Sequence, residues 1–288
     1  MRWIAVALIS LFSLSAYAGQ PTDGALGFQP AATDIMERIN SFHNILLVII
    51  TLIVVIVMAL LLYVVFRFNS KANKEPSKFS HNTLVEIIWT GVPVLILMFI
   101  AFFSFNELYY QGTFPDVEES EVVNVKAQGN QWNWTYTYTD VISDGYPLEF
   151  VSNPIHKGLP GEPEGTPDAP KNLAVDLPLV VPVDTIVRVQ TAASDVIHSF
   201  AVPAFGIKTD AVPGKLNELW FKVNETGTYY GQCSELCGKD HAFMPIEVRV
   251  VTRQEYDAWL EQAQADVYGA REYVASISNS NIQLASAR

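Results

Sequence analysis

The sequence predicts an α+β membrane protein: an N-terminal two-helix transmembrane hairpin followed by a Greek-key β-sandwich or barrel. Three observations carry that expectation. Two uncharged runs, bounded by Arg38 and Arg67 and by Glu86 and Glu107, are each long enough to cross a bilayer. The chain beyond them, to about residue 250, is a series of short β-branched and aromatic segments with turn residues between. Charge divides along the same line, since 25 of the 30 acidic residues but only 12 of the 18 basic ones lie beyond residue 106. Half of the 288 residues are hydrophobic and 17% are charged, against about a quarter charged in an ordinary soluble domain. The formal charge of −12 argues against a nucleic-acid binder. The apolar content excludes disorder, and two cysteines exclude a disulfide framework.

Residues 1–18 read as a secretory signal peptide. Arg2 is the basic start, residues 3–16 are apolar, and Ala16-Tyr17-Ala18 is a small-residue cleavage site that leaves Gly19 first. Residues 19–41 form an exported N-terminal segment. The hairpin occupies residues 42–106, with helices at about 42–67 and 84–107 and a loop at 68–83. Residues 45–66 are 22 almost unbroken apolar positions, or about 33 Å of helix. The second run contains Pro93, which a membrane helix tolerates where neighbours re-satisfy the freed carbonyl. Neither run has the polar face of a surface helix. The loop holds Arg67, Lys71, Lys74 and Lys78 against Glu75, so the positive-inside rule places it in the cytoplasm and both flanks on the far side.

Residues 107–251 form the β domain. Segments 122–127 and 132–138 alternate with period two, and 177–183, 185–191, 218–223 and 246–251 are β-branched runs. Residues 153–172 are rich in Gly and Pro and read as a surface loop. Thr252-Arg253-Gln254-Glu255 is a capping-box pattern opening a helix to about residue 265. Residues 252–288 are thus a C-terminal helix and a frayed tail, small and polar from 276 on.

One segment concentrates chemistry. Cys233, Cys237, His241 and Met244 lie within 12 residues, and His198 stands 35 residues before Cys233. Two thiolates, imidazoles and a thioether are a soft donor set that suits copper. Two thiolates can also bridge two metals, each capped by one His. The residues alone leave alternatives open: a plain disulfide, one tetrahedral zinc on Cys233, Cys237, His241 and His198, and Met244 as a core filler.

Residues from about 35 to 260 resemble subunit II of the haem–copper cytochrome c oxidases. The resemblance rests on Gln131-Trp132-Asn133-Trp134, His198-Ser199-Phe200-Ala201-Val202-Pro203 and Gly206-Ile207-Lys208-Thr209-Asp210-Ala211-Val212-Pro213-Gly214. It rests also on the stretch from Tyr229-Tyr230-Gly231-Gln232-Cys233 to Met244-Pro245, and on Glu86-Ile87-Ile88-Trp89-Thr90. It implies a cupredoxin-like β domain holding a dicopper centre, CuA. Cys233 and Cys237 would bridge, His198 and His241 would cap, and Met244 and the carbonyl of Glu235 would be weak ligands. The Glu235 side chain would help hold a magnesium ion shared with subunit I, a hard ion that prefers oxygen.

The resemblance implies electron entry at Trp132 and cytochrome c docking at Asp140, Asp176 and Asp195, with Asp144 and Glu149 extending that surface. Thr137 stands where some relatives carry an acid. It also implies a proton-entry role for Glu86, an acid at the mouth of a membrane helix. The expected function is subunit II of cytochrome c oxidase. It would take single electrons from cytochrome c and pass them to haem a in subunit I, for oxygen reduction coupled to proton pumping. Haems would lie only in subunit I, and this chain alone would not reduce oxygen. Expected partners are subunit I, other oxidase subunits, cytochrome c and membrane lipid. The expected location is the bacterial inner membrane, with both termini and the copper domain periplasmic. Alternatives are a membrane-anchored copper-binding or delivery protein, and a quinol oxidase subunit II, which would need no copper ligands.

Overall fold

The computed structural model describes residues 19–22, 24–155 and 170–277. The expected signal peptide, residues 156–169 of the expected loop and residues 278–288 of the expected tail lie outside the described residues. The chain forms two compact units. One is Glu37–Thr113; the other joins the N-terminal segment to everything from Phe114 onward.

The first unit is built from α1 (Asp34–Arg67) and α2 (Thr83–Gly112). Their apolar stretches are exposed throughout. Water does not tolerate so large an apolar surface, whereas a bilayer accepts a helix whose backbone groups are satisfied internally. Both helices run past the apolar stretches from which sequence bounds were read. The extensions are held by polar contacts: Arg38 Nη1 donates to both carboxylate oxygens of Glu107 at 3.2 Å, and its guanidinium lies 3.9 Å over the Tyr110 ring. At the start of α2 the Asn82 side chain accepts from the Leu84 and Val85 amides. The Glu86 carboxylate reaches back to the Asn82 amide at 3.3 Å, so Glu86 also caps the helix it opens.

Among the described residues, the second unit is a β-sandwich of ten strands. In chain order they are β1 (Val122–Asn130), β2 (Asn133–Ser143), β3 (Tyr146–Ser152), β4 (Leu179–Pro182), β5 (Ile186–Ala193), β6 (His198–Val202), β7 (Ile207–Ala211), β8 (Asn217–Lys222), β9 (Gly227–Gln232) and β10 (Pro245–Val251). One sheet runs β3-β2-β1-β5-β8, a second β4-β10-β9, and β6 pairs with β7. Most pairs are antiparallel; β1 with β5 and β4 with β10 are parallel. The period-two pattern of β2 puts Trp134, Tyr136 and Tyr138 in the core. Tyr138 donates its hydroxyl to the Val180 carbonyl and accepts from the Val180 amide, which satisfies a buried phenol at both its donor and its acceptor.

Two outer segments pack on the sandwich. The helix α3 (Arg253–Asp266) starts in a complete capping box between Thr252 and Glu255 and buries Tyr256, Trp259 and Ala263; Trp259 lies 5.4 Å from Tyr138. Residues 270–277 are again helical, with Ala270, Val274 and Ile277 buried, so the expected fraying from 276 does not include Ile277. The N-terminal segment is tied down as well. Thr33 pairs with Val223 and donates its hydroxyl to the Phe205 carbonyl at 2.7 Å, while Ile35 and Met36 are buried.

Glu247 on β10 is 2% exposed. It accepts from Arg249 Nε at 2.6 Å and from the Val175 amide at 3.0 Å, which pins residues 174–177 to the strand that follows Met244. Burial pushes its carboxyl up against the opposing pull of the Arg249 guanidinium. Removing one member of such a pair strands the other, at about 3–5 kcal/mol, whereas replacing both with apolar residues is often close to neutral. Glu247→Leu should therefore lower the unfolding midpoint of the full chain, followed by circular dichroism, more than the double change Glu247→Leu with Arg249→Met.

Candidate metal centre

The centre forms where two short pieces of chain converge at one end of the sandwich. β6 begins with His198, whose residue is fully buried. The segment after β9 carries Cys233 and Cys237, and Met244 closes it before β10. The pieces are stitched by backbone bonds: the Cys233 amide donates to the Met244 carbonyl at 2.9 Å, and the Ser234 amide to the Ser199 carbonyl at 3.0 Å. His198 has room because position 129 on β1 is glycine. A Cβ there would stand 2.8 Å from the His198 ring, closer than packed atoms approach. Trp134 and Phe200 complete the wall, with Trp134 edge-on to His198 at 6.1 Å and to Phe200 at 5.5 Å.

Ligand atoms of His198, Cys233 and Cys237 lie within 4.8 Å of one another, and all three residues are buried. Both cysteines are free thiols, with sulfurs 3.8 Å apart, well beyond the ~2.05 Å of a disulfide. His198 Nδ1 stands 3.9 Å from Cys233 Sγ, and His241 Nδ1 stands 3.5 Å from Cys237 Sγ. His241 falls outside the mutually close group of three. Each of the two neighbouring sulfurs therefore has an imidazole nitrogen within 4 Å. Cys233 Sγ also lies 3.4 Å from the Glu235 carbonyl oxygen, and Met244 is fully buried. The soft, buried donor set could hold copper.

Asp195 orients the first imidazole. Its Oδ1 lies 2.8 Å from His198 Nε2, which fixes the Nε2–H tautomer and turns the Nδ1 lone pair towards the sulfurs. The other oxygen, Oδ2, accepts from the Gln131 amide at 2.7 Å. Burial would raise the Asp195 carboxyl, but the His198, Val196 and Gln131 donors outweigh it and hold the group below the ordinary range. Burial likewise opposes charge on His198, and Cys233 and Asp195 overcome it, so its pKa is raised. Burial disfavours the Cys233 thiolate too, yet the His198 contact leads the hydrogen bonding that brings the thiol down to about 6. Cys237 is pushed up to about 12 by burial and by the neighbouring Cys233 charge. Without metal, the pair thus holds one thiolate at neutral pH.

The other residues singled out in the sequence are dispersed. Trp132 is half-buried in the β1–β2 turn beside Gly238. The Glu235 side chain is exposed. Asp140 accepts from the Asn124 side chain at 2.6 Å. Asp176 accepts from the Asn153 and Leu177 amides at 2.7 and 2.8 Å, so it braces its own loop. Asp144 sits in the β2–β3 turn at φ 51°, and Glu149 accepts from the Thr137 hydroxyl at 2.8 Å. Gly129 and Gln131 were not singled out as site residues. A glycine inside the strand-like run 122–130 is the usual mark of close backbone approach, whereas nothing local signals the reach of Gln131.

Comparison with known proteins decides the family. The model for "Cytochrome C oxidase subunit II, periplasmic domain" matches residues 123–251, and the model for the transmembrane domain of the same subunit matches residues 21–106. The chain belongs to the cytochrome c oxidase subunit II family. The probable cytochrome c oxidase subunit 2 of Rickettsia bellii is 44% identical over 250 residues, 87% of this chain and 88% of the relative. The cytochrome c oxidase subunit 2 of Cereibacter sphaeroides is 43% identical over 265 residues, 87% of this chain and 84% of the relative. Among solved structures, the periplasmic domain of subunit II of the Bradyrhizobium japonicum oxidase is 46% identical. It covers 54% of this chain and 99% of its own, with a TM-score of 0.45. As a cytochrome c oxidase subunit II, this chain is a membrane-anchored subunit of an oxidoreductase complex.

In the metal-free full chain, the thiol pair should lose its first proton near pH 6, read as thiolate absorbance in the ultraviolet. In His198→Asn that step should move up towards the ordinary thiol range, about 8.5.

Proposed function

We propose that the chain takes single electrons from cytochrome c at a binuclear copper centre. It passes them to haem a of subunit I, for reduction of oxygen to water coupled to proton pumping. The observation that carries this reading is the donor set itself, two neighbouring sulfurs with an imidazole beside each. A lone tetrahedral zinc needs its four donors within about 4 Å of one another. Here His241 lies beside Cys237, yet the four donors do not all fall within 4.8 Å of one another. Two sulfurs and two imidazoles suit a pair of ions, which Cys233 and Cys237 would hold together with His198 and His241. Met244 and the Glu235 carbonyl supply the weak outer contacts. Bound there, two coppers would furnish a one-electron couple spread over both ions with little change of geometry. The chain's own part is to hold the donors rigidly and keep water out, through the buried His198, Cys233, Cys237 and Met244.

Placement and chemistry support the remaining roles. Trp132 is the electron-entry aromatic, half-buried at the β1–β2 turn. Docking draws on the acidic excess of the β domain, since opposite charge speeds encounter with a cationic cytochrome in a salt-dependent way. Asp140 is exposed and suits that work. Asp176 and Asp195 spend their carboxylates on internal hydrogen bonds and add mainly to the field. The exposed Glu235 carboxylate would help hold magnesium shared with subunit I. Glu86 would stand at proton entry in addition to capping α2. The basic loop between α1 and α2 faces the cytoplasm, and the copper domain with both termini faces the periplasm of a bacterial inner membrane.

Metal analysis of the purified full chain should give two coppers; one zinc and no copper would sink the reading. His198→Asn and Cys233→Ser should each abolish the centre. Trp132→Ala should retain both coppers yet slow oxidation of reduced cytochrome c by about tenfold or more; an unchanged rate would leave Trp132 a purely structural role.

A further inference from the structure

The β1–β2 turn is joined to both pieces of chain that carry the metal donors, and Gln131 makes both joints. Its backbone amide donates to Asp195 Oδ2 at 2.7 Å. Its side-chain Nε2 donates to the Cys237 carbonyl at 2.7 Å. Between those joints the contacts close a ring. Asp195 Oδ1 meets His198 Nε2 at 2.8 Å, His198 Nδ1 faces Cys233 Sγ at 3.9 Å, and Cys233 Sγ faces Cys237 Sγ at 3.8 Å. The next residue, Trp132, is seated by the same arrangement. Gly238, at φ 118°, has no side chain; a Cβ there would lie 3.0 Å from Gln131 Nε2 and 3.2 Å from Trp132 Cζ2. The indole edge therefore rests against the backbone just after Cys237. Gln131 itself is exposed, so the fold does not depend on burying it.

We propose that Gln131 is a positioning residue for electron entry, locking the Trp132 turn onto the Cys237–Gly238 backbone. This rests on the reading of Trp132 as the entry residue. Gln131 exchanges neither electron nor proton. Its amide is chosen for geometry, because only a donor at that reach can close the ring on the Cys237 carbonyl. A glutamate of the same shape places a carboxylate against that carbonyl and opens the joint. An alanine removes it. In each variant the backbone amide still meets Asp195, so His198 keeps its orientation and the copper ligands stay in place.

The test has two readouts on the full chain in detergent. In the metal-free protein, hydrogen–deuterium exchange should rise by about tenfold at the Gln131–Trp132 turn and at residues 237–240 in Gln131→Ala and Gln131→Glu, with exchange elsewhere unchanged. In the copper-loaded oxidase, both variants should keep two coppers and the wild-type absorption spectrum. They should lower kcat for reduced cytochrome c on the order of tenfold while leaving KM and its salt dependence at wild-type values. Wild-type exchange in both variants overturns the proposal. So does a raised KM with unchanged kcat, which would make Gln131 a docking contact. Trp132→Ala serves as the separate control: if it leaves kcat unchanged, the entry reading has failed, whatever Gln131 does to exchange.

Discussion

The whole centre depends on one close approach, that of β6 to the segment following β9. The Ser234–Ser199 and Cys233–Met244 backbone bonds draw the sulfur-bearing segment between two strands. The absence of a side chain at Gly129 lets His198 drop into the gap. Soft donors separated by 35 residues of chain thereby come within a few ångströms of each other in a dry place. Burial alone would make ionised thiols and a charged imidazole costly. Their mutual contacts offset that cost, which is why Cys233 is held low while Cys237 is pushed high. A metal relieves the same conflict more fully, since both thiols are then bound as thiolates.

The two units answer to different solvents. The hairpin exposes nearly continuous apolar surface and keeps its few charges near the ends, where Arg38 meets Glu107. The β domain hides its aromatics inside and carries most of the acidic charge. Acids in that domain do unlike jobs despite similar chemistry. Asp195 aims an imidazole, Asp176 braces a loop, Glu247 anchors that loop from below, and Asp140 remains at the surface. Net charge describes their sum at a distance; only geometry separates them at close range.

Much of this was legible in the sequence, and what was not depends on contacts through space. The hairpin was readable because lipid demands long uncharged runs, a property of consecutive residues. Its inner helix ends, at Arg67 and Thr83, were readable too; the outer ends were not, because they rest on Arg38 reaching Glu107 and on Ile35 and Met36 being buried. β2 and β10 were readable from their β-branched and aromatic residues. β3, β6, β7 and β9 were not; in β6 and β9, His198-Ser199 and Gly231-Gln232 interrupt the apolar pattern, and these strands owe their place to the sheets around them. The ligand types and their spacing were plain at Cys233, Cys237 and His241. Gln131 was passed over because its importance lies in reaching Cys237, 106 positions away. Asp195 was read as a docking acid because nothing in a linear pattern says that its carboxylate turns inward to His198. Nothing in the linear pattern around Glu247 signals its burial, which only the fold shows.

The central claim is that the two sulfurs lie between two metal ions and are shared by both. Electron paramagnetic resonance of the copper-loaded, oxidised full chain tests it most directly. One unpaired electron spread over two equivalent copper nuclei should give the multiline hyperfine pattern of a nuclear pair. A pattern from a single copper nucleus, or a silent sample that contains zinc, would contradict the account.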